Sequence, residues 1–186
     1  MTIEYRELTE EYDSALAALI RTNLRHHHLD IPGTVYFDEG LDHLSRFYSG
    51  DPENRFYYVL LEGGDNGKPG CGEVSPAGGC GKLVGGIGLA AFGGLAGSGL
   101  IGEGERCAEL QKLYLDDAVK GRGIGYGMIR RIEDKARELG FHRMYLETHT
   151  NLQAAMHIYE KSGYALIERP ASVMHSTMNR FYLKKL

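Results

Sequence analysis

Four glycines occupy alternate positions where the sequence is predicted to enter a helix: Gly121, Gly123, Gly125 and Gly127. Because glycine has no side chain, a ligand can approach the backbone N–H groups of this segment closely. The first N–H groups of a helix lack partners within the helix, and the helix dipole adds roughly half a positive charge there. Lys120 and Arg122 add formal positive charge at the same place. The segment is therefore predicted to bind a phosphate or a pyrophosphate.

Two common glycine motifs for phosphate binding do not match this sequence. The dinucleotide-binding pattern G-x-G-x-x-G needs a third glycine that no register of the segment supplies. The P-loop pattern needs Ser or Thr after Gly-Lys, but Leu83 follows Gly81 and Lys82. Nucleotide binding stays open as an alternative function, and ATP or NAD would then raise the melting temperature.

The motif that does match is carried by residues 120–125, with the sequence KGRGIG. It resembles the Q/R-x-x-G-x-G/A motif of the GNAT acyltransferase superfamily, with Lys120 in place of the usual Gln or Arg. Residues 152–164, LQAAMHIYEKSGY, are similar to a second motif of that family, A-A-x-x-L-Y-E-K-x-G-F. In the family, the first motif binds the pyrophosphate of acetyl-CoA. The two motifs occur in the family's order, so the resemblance identifies the chain as an acetyl-CoA-dependent N-acetyltransferase.

Hydrophobic periodicity and turn residues predict seven strands and four helices in the order βααβββαβαββ. The strands are expected at residues 2–8, 56–61, 82–92, 107–115, 143–148, 164–168 and 180–185. The helices are expected from Thr9 to the histidines at 26–28, and at residues 38–48, 126–139 and 151–161. This order matches the GNAT fold, an α/β fold of the α+β type. That fold has a mixed, mostly antiparallel sheet of about seven strands with helices on both faces.

Composition limits the domain count and the function classes. With 186 residues, 42% of them hydrophobic, the chain is expected to form one domain around a single core, which by the resemblance is an N-acetyltransferase domain. A formal net charge of -4 gives no positive field for binding nucleic acid. The first residues lack a signal-peptide pattern and no apolar run is long enough for a membrane span, so a cytoplasmic protein without a membrane partner is expected. Three cysteines in such a chain argue against a disulfide framework.

Two glycine-rich segments, residues 63–81 and 93–105, are predicted to be loops, and the second could cover the acceptor pocket. In the second predicted helix, Leu41, Leu44 and Phe47 are expected to face inward. By the resemblance, residues 26–36 line the substrate side, although packing for stability alone is an equally good interpretation of any one of them. The adjacent histidines at 26–28 point in different directions, so no metal site is expected.

The chemistry that the resemblance implies needs a general base. An alkylammonium has a pKa near 10.4, so exposing its lone pair at neutral pH costs roughly 4 to 5 kcal/mol. Glu109 aligns with the strand position where the protein-acetylating branch of the family has its catalytic glutamate. An ordinary glutamate is a weak base, so Glu109 would need an apolar setting or a relaying water. Glu147 on the neighbouring predicted strand and water are the alternatives, and a structural carboxylate near Lys112 is the non-catalytic interpretation.

The resemblance also implies an acid and a set of cofactor contacts. Tyr159 occupies the tyrosine of the second motif, which in the family reaches the sulfur of CoA; a core aromatic residue is the non-catalytic interpretation. The backbone near Leu115 is expected to bind pantetheine like an added strand, with the Leu115 N–H as the oxyanion partner. The expected cofactor-binding residues are Leu113, Tyr114, Leu115, Lys120, Gly121, Arg122, Gly123, Ile124, Gly125, Tyr126 and Asn151.

The function implied is transfer of an acetyl group from acetyl-CoA to a primary amine, directly, in a ternary complex. The acceptor is a small molecule or a peptide that the sequence does not identify. A catalytically inactive acyl-CoA-binding module is the alternative, since it would keep the glycine turn without needing Tyr159 or Glu109. If the chain forms a homodimer, the C-terminal strand around residues 181–183 offers a route for pairing.

Overall fold

A computed structural model describes residues 2–63, 81–173 and 177–186. In this part of the chain, one sheet contains seven strands: β1 (Thr2–Glu7), β2 (Arg55–Gly63), β3 (Gly81–Ala91), β4 (Cys107–Leu115), β5 (Arg143–Thr148), β6 (Ala165–Ile167) and β7 (Arg180–Lys185). Their spatial order is β1-β2-β3-β4-β5-β7-β6. Neighbouring strands are antiparallel except β4 and β5, which are parallel. The predicted mixed, mostly antiparallel sheet is confirmed.

In the same described residues, four α-helices cover the two faces of the sheet: α1 (Asp13–His26), α2 (Leu44–Ser49), α3 (Ile124–Glu138) and α4 (Gln153–Lys161). Alternate side chains of a strand point to opposite faces, and β2 illustrates this. Its Tyr57 and Val59 pack with α1 and α2, whereas its Leu60 packs in the second core with α3 and α4. The predicted helices on both faces are confirmed.

The second predicted helix is correct in place but wrong in form. Residues Glu39–His43 form a 3-10 helix, and only Leu44–Ser49 is α-helical. Within α2, Tyr48 lies four residues after Leu44 and therefore shares its face of the helix. Leu41 and Leu44 are buried as expected, but Phe47 is 39% exposed and Tyr48 faces inward instead.

An ion pair with a buried carboxylate joins α3 to the last strand. Lys184 of β7 donates to both carboxylate oxygens of Glu133 at 2.7 Å. The side chain of Glu133 is 6% exposed and that of Lys184 is 19% exposed. The helix ends before Gly140, whose φ of 76° fits the predicted stop.

Of the two predicted glycine-rich loops, the structure describes the second in full but only the end residues of the first. Residues 64–80, which include Cys71 and Cys80, lie outside the described residues. The connection from 93 to 105 covers the β5 and β7 half of the sheet, where Leu95 is fully buried against Tyr145 and Phe181. Residues 93–105 are not among those that line the cavity described below, and coverage of the acceptor pocket by this loop stays a prediction.

The C-terminal strand does not offer the predicted pairing edge. Strand β7 lies between β5 and β6, and both of its edges are hydrogen-bonded within the sheet. Phe181 and Tyr182 are buried. Dimerisation through residues 181–183 is therefore excluded unless β6 is displaced.

No helix in the described ranges is both long and apolar enough to cross a membrane.

Candidate active site

The parallel strands β4 and β5 separate in the middle of the sheet. Their pairing runs only from Cys107 to Glu109 on β4, where Glu109 lies opposite Tyr145. Beyond Glu109, β4 continues beside β3 up to Leu115, so its other edge has no strand partner. A cavity of about 860 Å³ opens at this point, lined by both strands and by residues of α1, α3 and α4. The splayed strands thus create one continuous space between the sheet and the helices.

The alternating glycines lie at the start of α3, where some shape the turn beside the cavity and one allows close packing of the helix. Gly121 and Gly123 have φ values of 76° and 75°, in the left-handed region that favours glycine. Both line the cavity, as do Ile124 and Gly125 at the helix start. A Cβ on Gly127 would lie 3.2 Å from the Tyr5 hydroxyl, so this glycine serves helix packing. The predicted anion site is therefore confined to the turn and the first residues of α3.

Backbone donors at this turn are available to a ligand. The Tyr126 and Gly127 N–H groups donate to the Gly123 carbonyl, at 3.2 and 3.5 Å. The N–H groups of Gly123, Ile124 and Gly125 precede that hydrogen-bonding pattern, as the first donors of a helix do. Tyr126 lines the cavity and is 37% exposed, so its ring rather than its N–H is the group it can offer.

Of the charged and amide side chains predicted to bind the cofactor, only one lines the cavity. Lys120 lines the cavity, and its ammonium is held by Asn23 of α1 and by Asp117. Arg122 is exposed and lies outside the cavity wall formed by the described residues. Asn151 is also exposed; its side-chain amide donates to the His27 carbonyl at 2.9 Å, which joins the start of the α4 segment to the end of α1.

The free edge of β4 presents the backbone groups expected near pantetheine. Asp116 donates its N–H to Val84, the residue before the β3 partner of Leu115. Because successive N–H groups of a strand point to opposite edges, the Leu115 N–H is directed toward the gap between β4 and β5. Leu113, Tyr114 and Leu115 all line the cavity.

Glu109 lies at the splay and is held by a short hydrogen-bond relay. The Tyr48 hydroxyl donates to Gln111 Oε1 at 3.0 Å, and Gln111 Nε2 donates to Glu109 Oε2 at 2.6 Å. Burial raises the pKa of the Glu109 carboxyl, the Gln111 hydrogen bond opposes this, and the nearby Glu147 charge adds to it. Glu109 thus has the apolar setting that a glutamate needs to become a stronger base.

Glu147 approaches the same space from β5. Glu109 pairs with Tyr145, and Glu147 follows two residues later, so the three side chains share one face of the sheet. Glu147 lines the cavity, and its Oε2 is buried without a hydrogen-bond partner among the described residues. A carboxylate oxygen left in that condition is expected to attract a donor.

Tyr159 of α4 also lines the cavity, although its side chain is largely buried, at 6% exposed. Its ring packs near Tyr164 and Tyr182, with centroids 6.0 and 6.2 Å away. Burial raises the pKa of the Tyr159 phenol above its ordinary value of 10.0. The phenol is therefore protonated at neutral pH and can donate a hydrogen bond or a proton into the cavity.

The segment between α1 and α2 forms part of the wall, as the resemblance implied for residues 26–36. The residues from it that line the cavity are His27, Leu29, Gly33, Thr34 and Val35. The Thr34 hydroxyl donates to the Leu29 carbonyl at 2.8 Å, and Leu29 is fully buried. The first histidine, His26, contacts Asp117 at 3.1 Å instead of facing the cavity.

Three cavity or relay residues were not predicted for the roles they have: Tyr48, Gln111 and Lys112. Gln111 carried a usable signal, because it lies two residues from Glu109 on a strand and therefore shares its face. Tyr48 carried a signal too, because it lies four residues after Leu44 in a predicted helix and therefore shares its face. Lys112 entered the sequence analysis only as a counter-charge for Glu109.

Comparisons with known proteins agree with this geometry. Residues 21–164 match the family model described as Acetyltransferase (GNAT) family. The chain is 32% identical over 164 residues to the uncharacterized N-acetyltransferase YjgM of Escherichia coli (strain K12), covering 88% of this chain and 82% of that protein.

Solved structures with the same architecture cover the whole chain. A GNAT-family acetyltransferase from Staphylococcus aureus Mu50 has a TM-score of 0.71 and 18% identity, covering 100% of this chain and 99% of that one. The PaiA N-acetyltransferase from Thermoplasma acidophilum, solved in complex with coenzyme A, has a TM-score of 0.65 and 17% identity, covering 100% of both chains. At such identities, the structures establish the fold. Since the family model spans most of the chain and the E. coli relative agrees with it, this protein belongs to the acetyltransferase (GNAT) family.

Proposed function

We propose that the protein transfers the acetyl group of acetyl-CoA directly to a primary amine of a small molecule or a peptide, with both substrates bound at once. Family membership supports the donor and the reaction class. The observation that carries the proposal is that one cavity is lined by the glycine turn, by Glu109 and by Tyr159. A donor with a distant phosphate end and a reactive thioester end needs such a space.

The pyrophosphate of CoA is assigned to the N–H groups of Gly123, Ile124 and Gly125, with the Lys120 ammonium beside them. Helix N-termini bind such anions through unpaired N–H groups and the helix dipole. Pantetheine is assigned to the free edge of β4 at residues 113–115, where it can pair like an added strand. The Leu115 N–H is the proposed donor to the thioester oxygen as negative charge develops there.

Glu109 is the proposed general base. Burial raises its pKa, which moves the carboxylate closer to the base strength that proton transfer at neutral pH requires. The hydrogen bond from Gln111 fixes one carboxylate oxygen and leaves the other to face the acceptor. Glu147 or a water molecule acting with Glu109 is the alternative base, since Glu147 lines the same cavity.

Tyr159 is the proposed acid. The amine nitrogen attacks the thioester carbon, forming the C–N bond, and the C–S bond then breaks. The acceptor ammonium first loses one proton to Glu109, which passes it to solvent, and this exposes the lone pair for attack. As the C–N bond forms and the C–S bond breaks, the nitrogen loses its second proton to Glu109, while Tyr159 gives a proton to the departing sulfur and regains one from solvent. One proton is therefore released to solvent overall. Because burial raises its pKa, Tyr159 is protonated at neutral pH and can donate a hydrogen bond to the departing sulfur as negative charge develops there.

Initial-rate kinetics test this proposal. CoA release is measured with a panel of amines and peptides while acetyl-CoA and the acceptor are varied together. A ternary complex gives intersecting double-reciprocal lines, and intact-protein mass spectrometry then finds no acetylated enzyme after incubation with acetyl-CoA alone. Parallel lines together with a stable acetyl-enzyme would replace direct transfer by a two-step route. Binding of acetyl-CoA without CoA release for any amine would favour the inactive binding module instead.

A further inference from the structure

Lys112 lies at a bulge in β4 that turns two consecutive side chains toward α2. The register with β3 shifts between Gly86 and Gly88, and Lys112 has a φ of 50°, which non-glycine residues rarely adopt. The Lys112 ammonium is 6.0 Å from the centroid of the Phe47 ring, while neighbouring Gln111 accepts a hydrogen bond from Tyr48. In a regular strand these two side chains would point to opposite faces.

The bulge is fixed by the surrounding fold. The Tyr57 hydroxyl donates to the Lys112 carbonyl at 2.8 Å, and Tyr57 is 1% exposed. A backbone in a rarely populated conformation persists when its surroundings enforce it, and such sites often belong to functional regions. The consequence here is that a lysine side chain lies in the wall of the cavity.

The Lys112 ammonium has no close anionic partner in residues 2–63, 81–173 and 177–186. Every ion pair with a carboxylate within 4.0 Å in those ranges involves another cation. Burial lowers the pKa of Lys112, while Asp38 and Glu109 oppose this from a greater distance. A partly desolvated cation without a partner is stabilised by an anion that enters the cavity.

Two carboxylates in the neighbouring part of the cavity wall carry the charge opposite to that of Lys112. Glu109 and Glu147 both line the cavity, and Glu147 Oε2 is buried without a partner among the described residues. These groups suit the ammonium of an acceptor, but a simple cationic amine or a polyamine would also meet the like charge of Lys112. A molecule that carries both an ammonium and a carboxylate satisfies the two sides together.

We propose that Lys112 forms a subsite for a carboxylate of the acceptor, so that the acceptor is a zwitterionic amine of the amino-acid class. This inference rests on the proposed function, since it assigns the acceptor to the same cavity. The amine of the acceptor lies toward Glu109, and its carboxylate lies at the β4 bulge.

The test compares common α-amino acids with their own carboxamides, which keep the amine and remove the negative charge. The wild-type protein is expected to acetylate the acids with a kcat/KM about 10- to 100-fold above that of the amides, as suits a hydrogen bond between charged groups. Lys112→Met keeps the apolar stem and is expected to lower kcat/KM for the acids by that factor while leaving the amides nearly unchanged. Lys112→Arg should restore most of the preference. Lys161→Met, an exposed lysine at the end of α4, is the matched control.

The outcomes separate the subsite from the proposed function. If the wild-type protein uses the amides as well as the acids, the subsite is wrong, and this comparison needs no variant to fold. An equal loss for acids and amides in a folded Lys112→Met protein would mean that Lys112 acts only on Glu109. Turnover of simple amines but of no amino acid overturns the subsite alone, whereas no turnover of any amine overturns the proposed function as well.

Discussion

Single residues decide the proposed chemistry, and burial gives Glu109 its proposed role. An exposed glutamate has a pKa near 4.5, too low for efficient proton abstraction from an ammonium at neutral pH. Burial at the β4–β5 splay raises that pKa, and the neighbouring Glu147 adds to the effect. Two carboxylates near one cavity thus provide both attraction for a cation and a stronger base.

Replacing Glu109 tests that role through the pH dependence of the rate. The base must be ionised to act, so kcat/KM of the wild-type protein rises with pH through the pKa of Glu109. Since that pKa is raised, the rise occurs above pH 4.5. Glu109→Gln keeps the shape and the bond to Gln111 and is expected to lower kcat by about 10²-fold or more and to remove this limb. A variant with an unaltered pH–rate profile would assign the base to Glu147 or to water.

Replacing Tyr159 tests the acid. Tyr159→Phe keeps the ring and removes the proton that would reach the sulfur, so kcat is expected to fall about 10²-fold with little change in the affinity for acetyl-CoA. Tyr182→Phe is a suitable control, because that hydroxyl donates to Glu160 at 2.9 Å and its ring is 6.2 Å from Tyr159. Unchanged turnover in Tyr159→Phe, or an equal loss in both variants, would remove the assigned role.

At the residue scale, the sequence predicted the candidate site residues that belong to a recognisable motif. The glycine turn, Tyr159 and Glu109 were predicted because motif spacing marks them, and all of them line one cavity. Tyr48 was missed although it lies four residues after Leu44, a spacing that puts both buried side chains on one face of α2. The position of Lys112 depends on a strand bulge, which requires the partner strand and cannot be read from one segment.

At the scale of elements, the start of α3 separates two uses of glycine. Gly123 has a φ of 75° with open space around it, whereas Gly127 is close to Tyr5 and lies one turn further along the helix. A nonglycine residue in the left-handed region is strained by roughly 1 to 2 kcal/mol, and relief of that strain would reorient the turn. The proposed anion site is therefore expected to depend on Gly123 and not on Gly127.

This distinction predicts different results for two similar substitutions. Gly123→Ala is expected to weaken acetyl-CoA binding about 10-fold or more, because the N–H groups of the turn lose their arrangement. Gly127→Ala, the matched control, is expected to leave the affinity unchanged. Calorimetric titration of each variant measures the effect. Equal affinities in the two variants would show that the turn conformation is not what binds the donor.

A second element-scale prediction concerns the attachment of α3 to β7. Removing one partner of a buried ion pair leaves the other charge uncompensated, at a cost of about 3 kcal/mol. Lys184→Met should therefore lower the free energy of unfolding by up to about that amount, because it leaves the buried Glu133 carboxylate with the longer Arg137 contact at 3.9 Å. Chemical denaturation followed by circular dichroism measures it, with the neighbouring exposed Lys185→Met as control. Adding Glu133→Gln should recover part of the loss, and similar stabilities of the two lysine variants would contradict the account.

The order of elements was fully predictable, but some of their boundaries and forms were not. Apolar runs or alternation identified each strand of the described residues, and Gly140 marked the end of α3, where the structure gives it a positive φ. Thr9 precedes a 3-10 turn at Glu10–Tyr12, and α1 begins only at Asp13. The choice between a 3-10 and an α-helical turn depends on tertiary packing, which local propensity does not contain.

At the scale of the whole molecule, the proposed active site lies where the sheet opens between β4 and β5. The parallel pair β4 and β5 is the only parallel contact in the sheet of the described chain, and its short pairing leaves the edge of β4 free beside the cavity. The resemblance to the family predicted that β4 and β5 are neighbours in the sheet. The burial of Leu95 and the position of β7 between β5 and β6 could not be predicted from the sequence and are seen only in the structure. Both depend on contacts between segments far apart in the chain.

The central claim is that the turn before α3 binds acetyl-CoA and directs its thioester into the β4–β5 gap. Isothermal titration calorimetry of the wild-type protein tests it most directly. The account predicts a saturable heat at one acetyl-CoA per chain, while ATP and NAD give none under the same conditions. A folded protein that shows no heat with ample acetyl-CoA would contradict it.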